Sequence, residues 1–115
     1  MCHYRHRAHP DPLIRVGLQD ITAHVDCSAM AGAAHGAGLG VLGYTNQANF
    51  LIANGLAELA VSPVEEPKAQ WELASQVRRL TLPGEMGELF KVLALGRGVE
   101  GPLRGFAMRD DRGRL

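Results

Sequence analysis

Two short apolar runs set the terms on which this chain can fold. "LGVLGY" spans residues 39–44 and "FKVLAL" spans 90–95. Each is too short for a stable helix, and the first is bounded by glycines, so both read as strands. Helical patterns lie around them. In "CSAMAGAAHGAG", Ala29, Met30, Ala33 and Ala34 form a small apolar face, Asp26 precedes it as an N-cap, and Gly36 and Gly38 end it. In "NQANFLIAN", Ala48, Leu51 and Ile52 recur at helical spacing, Thr45 can cap it and Gly55 can close it in a left-handed conformation. In "KAQWELASQVRRL", Ala69, Leu73, Val77 and Leu80 make one stripe. Pro67 suits its first turn, Glu65 and Glu66 favour its start, Arg78 and Arg79 suit its end, and Pro83-Gly84 stops it. Strand alternating with helix predicts an α/β chain with a partly parallel sheet.

The remaining segments are read by their turn chemistry. "MCHYRHRAH" alternates loosely and is an expected strand, followed by a Pro- and Gly-bearing loop, "PDPLIRVGLQ". "DITAHV" is an expected strand or extended segment, "LAELAV" a short apolar turn and "SPVEEPK" a loop. "GRGVEGPLRG" reads as a glycine-rich turn region, "GFAM" as a strand pairing back in a hairpin, and "RDDRGRL" as a fraying end.

Composition narrows the class. The 115 residues suffice for one small domain, and 46% hydrophobic with 21% charged residues is a globular balance. Twelve basic and twelve acidic residues cancel, which argues against a dedicated nucleic-acid binder. Two cysteines, Cys2 and Cys27, are too few for a disulfide scaffold and suggest a reducing, cytoplasmic setting. There is no apolar run of membrane-spanning length, and the basic N-terminus lacks the apolar core of a secretory signal.

The stretch "QDITAHVDCSAM" carries the most suggestive chemistry. In an extended chain Asp20, Thr22, His24 and Asp26 share one face, and Ile21, Ala23 and Val25 the other. His24 between two acids has the make-up of a general base oriented by a carboxylate, though a hydrogen-bonded strand histidine is the commoner outcome. Cys27 at a helix start could be an activated thiol, but a buried small residue is the simpler reading. Gln47 sits in a first helical turn, where it can meet a ligand or solvent, and Phe50 can be core or platform. "GLGVLG" (38–43) matches G-x-G-x-x-G in the wrong context, because a helix precedes it and a strand occupies it; it is expected to be a helix stop and strand entry. His3, His6 and His9 would split between the two faces of a strand and lack a second ligand pair, so no metal site is expected.

Taken together, "YRHRAHPDP", "LQDITAHVD", "GYTNQANFL" and "MGELFKVLALGRG" resemble the C-terminal part of the MidA-type S-adenosylmethionine-dependent methyltransferases, whose eukaryotic relatives are mitochondrial complex I assembly factors that methylate an arginine. The resemblance implies a class I methyltransferase fold: a mainly parallel seven-stranded sheet, helices on both faces and an antiparallel last strand. "LGVLGY" would be a late strand and "FKVLAL" the last one. It also implies that residues 1–115 are a C-terminal fragment, incomplete as a domain, lacking the glycine-rich cofactor loop and the ribose-binding acid. S-adenosylmethionine is then the cofactor of the full-length family, and the chain alone is expected to bind it poorly and to be inactive. Asp20, His24 and Asp26, then Gln47 and Phe50, are the expected acceptor-side residues; the catalytic residue itself stays open. The expected partners are a protein substrate, such as an arginine-bearing subunit of a respiratory complex, and the missing N-terminal half or a second copy. The alternative is a non-catalytic chain that binds a partner through an exposed sheet edge. Cys27 stands where the family typically has phenylalanine after "HVD", which alters the packing expected there.

Overall fold

The computed structural model describes residues 1–61 and 66–115. The "SPVEEPK" loop and Glu65 therefore lie largely outside the described residues. Two antiparallel sheets are present. The first is made of very short strands, β1 (Cys2–Tyr4), β2 (Arg7–His9) and β3 (Asp20–Ile21), in the order β2-β1-β3. The second pairs β4 (Gly40–Asn46) with β5 (Lys91–Gly96). Among the described residues the helices are α1 (Cys27–Gly36), α2 (Gln47–Ala53), α3 (Leu56–Ala60), α4 (Pro67–Thr81) and α5 (Met86–Leu89). Strand and helix alternate as expected, and β5 runs antiparallel to β4. No parallel pair occurs among the described residues.

Local chemistry explains most boundaries. Asp26 caps α1, its Oδ1 accepting from the Ala29 N–H at 2.9 Å. Arg97 donates to the Ala37 carbonyl at the other end, a cation where the helix dipole welcomes one. Gly55 closes α2 at φ +98, where a side chain would be strained. Pro67 opens α4 without losing a needed N–H. The α4 stripe of Ala69, Leu73, Val77 and Leu80 is half-buried, as its spacing predicts.

Several expectations need correction. Asn46, not Thr45, caps α2 through a bond from the Asn49 N–H, because α2 starts at Gln47 and Asn46, the last residue of β4, stands directly before it. "MCHYRHRAH" is a hairpin rather than one strand. Arg5 and His6 turn it at φ 46 and 64, the positive values that a two-residue hairpin turn imposes. "DITAHV" forms a strand only at Asp20 and Ile21, and its pairing ends at Thr22, bonded to Met1. "LAELAV" contains α3, and "GFAM" falls in a 3-10 turn, Arg104–Phe106, that packs on α2 instead of forming a hairpin. Of the four residues of the predicted α1 face only Ala34 turns inward, with Cys27 and Ala31 beside it, while Ala29, Met30 and Ala33 are exposed. The last seven residues do not fray. They form a second 3-10 turn, Arg112–Arg114, that lies along β4.

The core is small and sits under β4. Phe106 stacks edge-on to Phe50 at 5.6 Å between ring centroids. A Cβ at Gly43 would overlap the Phe106 ring, and one at Gly105 would overlap Phe50, so both glycines are there for close approach. This leaves much apolar surface uncovered. The accessible surface is 8748 Å², against about 6,100 Å² for a folded monomer of this mass. The radius of gyration is 17.5 Å, against about 13 Å for a compact chain of this length.

Candidate functional site

A cleft of about 770 Å³ opens where the start of α1, the end of β4, α5 and the C-terminal segment meet. Asp26, Cys27 and Ser28 reach it because the cap fixes the first turn of α1 at its rim. Tyr44, Thr45 and Asn46 line it from β4, Glu88 and Lys91 from α5 and β5, and Arg109, Asp111 and Arg114 from the tail.

The tail is held by hydrogen bonds rather than by apolar contact. The Asp111 N–H donates to the Tyr44 carbonyl at 2.6 Å, and the Tyr44 N–H donates to Asp110 Oδ1 at 3.2 Å. Arg112 Nη1 donates to the Val41 carbonyl at 3.3 Å. Each acid is also paired, Arg109 with Asp111 at 2.8 Å and Arg112 with Asp110 at 2.7 Å. These exposed pairs order the segment more than they stabilise it.

Tyr44 is the electrostatically distinctive group. Burial, the neighbouring Cys27 thiol that shares a hydrogen bond with it, and the Asp111 carboxylate raise its pKa above the ordinary 10.0. The phenol is therefore neutral at physiological pH and can donate or accept. Beside it Thr45 is 1% exposed, and its hydroxyl has no hydrogen-bond partner among the described residues. Among the cleft acids, Asp26 Oδ1 is spent on the helix cap and Asp111 on Arg109. Glu88 has no ion-pair partner among the described residues, although its carbonyl accepts from Lys91 Nζ at 2.5 Å.

Only one of the five sequence-predicted site residues lines this cleft. That residue is Asp26, and it does so while capping α1. Asp20 lies in β3 opposite His3 and is exposed. His24 is exposed in the irregular segment between β3 and α1, so the ladder from Asp20 to Asp26 does not share one strand face. Gln47 is structural: its Nε2 donates to the Leu80 carbonyl at 3.0 Å, tying α2 to the end of α4. Phe50 belongs to the Phe106 cluster. The reading missed Tyr44, Glu88 and Asp111. The "GY" after the apolar run and the acids of the tail were visible, but only the fold brings Tyr44, Glu88 and Asp111 to one cleft. The glycines of "GLGVLG" end α1 and build β4. His3, His6 and His9 fall on β1, the hairpin turn and β2. No group of three or more metal-ligating side chains converges among the described residues. No helix among them is long and apolar enough to cross a membrane.

Comparison with known proteins agrees with the arrangement of the whole chain. Residues 1–45 match a family described as "Putative S-adenosyl-L-methionine-dependent methyltransferase". A crystal structure from Burkholderia thailandensis, described as "a COG1565 superfamily member and likely methyl transferase" bound to S-adenosyl-homocysteine, is 47% identical with a TM-score of 0.85. It covers 100% of this chain, and this chain covers 30% of it. A native crystal structure of an "uncharacterized ACR, COG1565 superfamily protein" from the same organism is 47% identical with a TM-score of 0.86, covering 100% of this chain and 31% of its own. The chain thus spans about a third of the length of the solved proteins it matches. No curated protein matches it.

Proposed function

We propose that residues 1–115 form the acceptor-side segment of an S-adenosylmethionine-dependent methyltransferase of the MidA type, acting on a protein arginine nitrogen in the cytoplasm. The carrying observation is 47% identity over the entire chain to a protein solved with S-adenosyl-homocysteine. The segment would belong to a Rossmann-like domain whose cofactor-binding part lies outside it.

The residues present do not fit the cofactor. A phosphate- or adenosine-binding turn needs glycines with free backbone N–H groups at a helix start. Here the space beside Gly43 is filled by Phe106, Gly40 pairs with Gly96, and Gly38 terminates α1.

What the segment supplies is the acceptor side. A guanidinium must be oriented and must give up a proton before its nitrogen can act as a nucleophile. Glu88 offers the unpaired carboxylate to accept an acceptor N–H and take its proton. The neutral Tyr44 hydroxyl orients the same group, and the free Oδ2 of Asp26 holds its far end. Arg109 is neutralised by Asp111, so it does not repel a cationic acceptor from close range.

The test pairs this chain with a polypeptide covering the rest of the solved relative. With tritiated S-adenosylmethionine and an arginine-bearing protein extract, Glu88→Gln should lower kcat at least about tenfold while S-adenosyl-homocysteine binding stays unchanged. Unchanged turnover removes Glu88 from the mechanism. Micromolar cofactor binding by residues 1–115 alone, measured by calorimetry, overturns the assignment of the cofactor site elsewhere.

A further inference from the structure

Residues 10–19 leave the first sheet and return to it as a closed loop. Its foot is pinned from within. Gln19 Nε2 donates to the Pro12 carbonyl at 3.2 Å, and the Leu13 N–H donates to Asp11 Oδ1 at 2.8 Å. Its tip is a four-residue turn. The Leu18 N–H donates to the Arg15 carbonyl at 2.9 Å, and Gly17 takes the third position at φ +80, as a type II turn requires. Val16 is therefore at the apex. Leu13, Val16 and Leu18 are 80%, 73% and 69% exposed, and Ile14 46%. Four large aliphatic side chains thus stand in solvent on a convex tip whose backbone is already fixed.

Cations lie behind that tip. Arg15 belongs to the turn, but its guanidinium folds back over the Tyr4 ring, 4.3 Å from the centroid. The Arg5 guanidinium lies over the same ring at 5.4 Å. Arg7 is opposite Tyr4 in the β1–β2 ladder, so its side chain leaves the same face of the sheet. All three arginines are exposed, and none has an ion-pair partner among the described residues. Residues 1–19 set one acid against them, Asp11, and its Oδ1 is turned into the loop.

We propose that this loop docks the chain reversibly on an anionic lipid surface. Leu13, Ile14, Val16 and Leu18 enter the acyl boundary, and Arg5, Arg7 and Arg15 meet the lipid phosphates. Charge decides for this occupant. Burying three unpaired guanidiniums inside a protein is costly, whereas at a headgroup layer their stems lie against apolar chains and their heads find anionic oxygens. The order of groups fits as well. The aliphatic tip leads, and a tyrosine ring flanked by arginines follows, which is the sequence of layers at a membrane–water boundary. Because Arg15 is drawn back onto Tyr4, the leading surface carries no charge of its own. No helix among the described residues is long and apolar enough to cross a membrane, so the contact lies in the interface plane rather than through it.

Loop geometry and charge carry this docking, and methyl transfer is not its readout. Residues 1–115 are mixed with vesicles of phosphatidylcholine, alone or with phosphatidylglycerol, and the bound fraction is read by sedimentation. Binding to the anionic vesicles should be at least about tenfold tighter and should weaken as salt is raised. Leu13→Ser combined with Val16→Ser should weaken it about tenfold or more. Both side chains stand in solvent, so circular dichroism should not change. Arg5→Gln combined with Arg7→Gln should remove most of the preference for the anionic vesicles. With spin-labelled lipid, amide signals of residues 13–18 should broaden while those of α4 stay sharp. No binding to anionic vesicles, equal binding to both kinds, or a serine variant that binds like the parent overturns the proposal. Self-association abolished in the serine variant also overturns it, by assigning the tip to a second copy. The last arm repeats the sedimentation on the chain assembled with a polypeptide covering the rest of the solved relative. Loss of vesicle binding there means that the enzyme covers the loop itself, and overturns the proposal. An assembly that binds vesicles but transfers no methyl group leaves the docking intact and refutes the proposed function.

Discussion

Residues 1–26 and residues 27–115 belong to one chain but are held by different means. The first region has strands of two or three residues, an N-terminal ammonium bonded to the Thr22 carbonyl at 2.9 Å, and a Tyr4 ring clasped by Arg15 at 4.3 Å. Leu13, Val16 and Leu18 are more than two-thirds exposed there. Three of the four buried polar atoms without partners, both ring nitrogens of His9 and Gln19 Oε1, also lie in it. The second region has a longer ladder, an aromatic pair and helices tied by caps and side-chain bonds. The difference teaches that polar closure around one buried side chain, Cys2, can shape a segment, but broader apolar burial is what makes it resist loss of a side chain.

Unfolding experiments can break that contrast. Phe106→Ala empties the seat between Gly43, Gly105 and Phe50 and should cost about 3 kcal/mol or more in urea unfolding followed by circular dichroism. Leu13→Ala should stay within about 0.5 kcal/mol of the parent. Equal losses for the two would mean that the N-terminal region has a core of its own. A smaller effect separates two acids of the alternating stretch 20–26. Asp26→Ala deletes the α1 cap and should cost about 1 kcal/mol, seen as faster amide exchange through the first turn of α1, whereas Asp20→Ala should change nothing measurable. The smallest effect is a pH slope. Because the Tyr44 pKa is raised on folding, the unfolded chain loses its phenolic proton first, so stability is retained below pH 10 and falls as pH rises past it. Tyr44→Phe should flatten that fall, and a slope unaltered by the substitution would assign it to another group.

What could be read from the sequence follows the same division. The caps at Asp26, Pro67 and Gly55 were legible because each acts within a turn of its own position. The stripe on α4 was legible for the same reason. Thr45 was misplaced as a cap because its neighbour Asn46 offers the same chemistry one residue later, and only the ladder with β5 shows where the strand stops. The alternation from Asp20 to Asp26 looked like a strand, yet a strand exists only as far as a partner pairs with it, and the last backbone bonds between the two segments join Thr22 to Met1. The tail looked loose because it is charged. Its order comes from backbone groups of Tyr44 and Val41 far away in sequence, which no local pattern encodes. The cleft is non-local for the same reason.

The tail along β4 also gives the sheet a direction. With the β4 side sealed by residues 110–112, only the β5 side is left with an unpaired border. Trimming those last residues would leave the ribbon sticky on both sides. A head-to-tail contact that never closes would then be available, and short filaments, rather than a discrete pair, become the natural product.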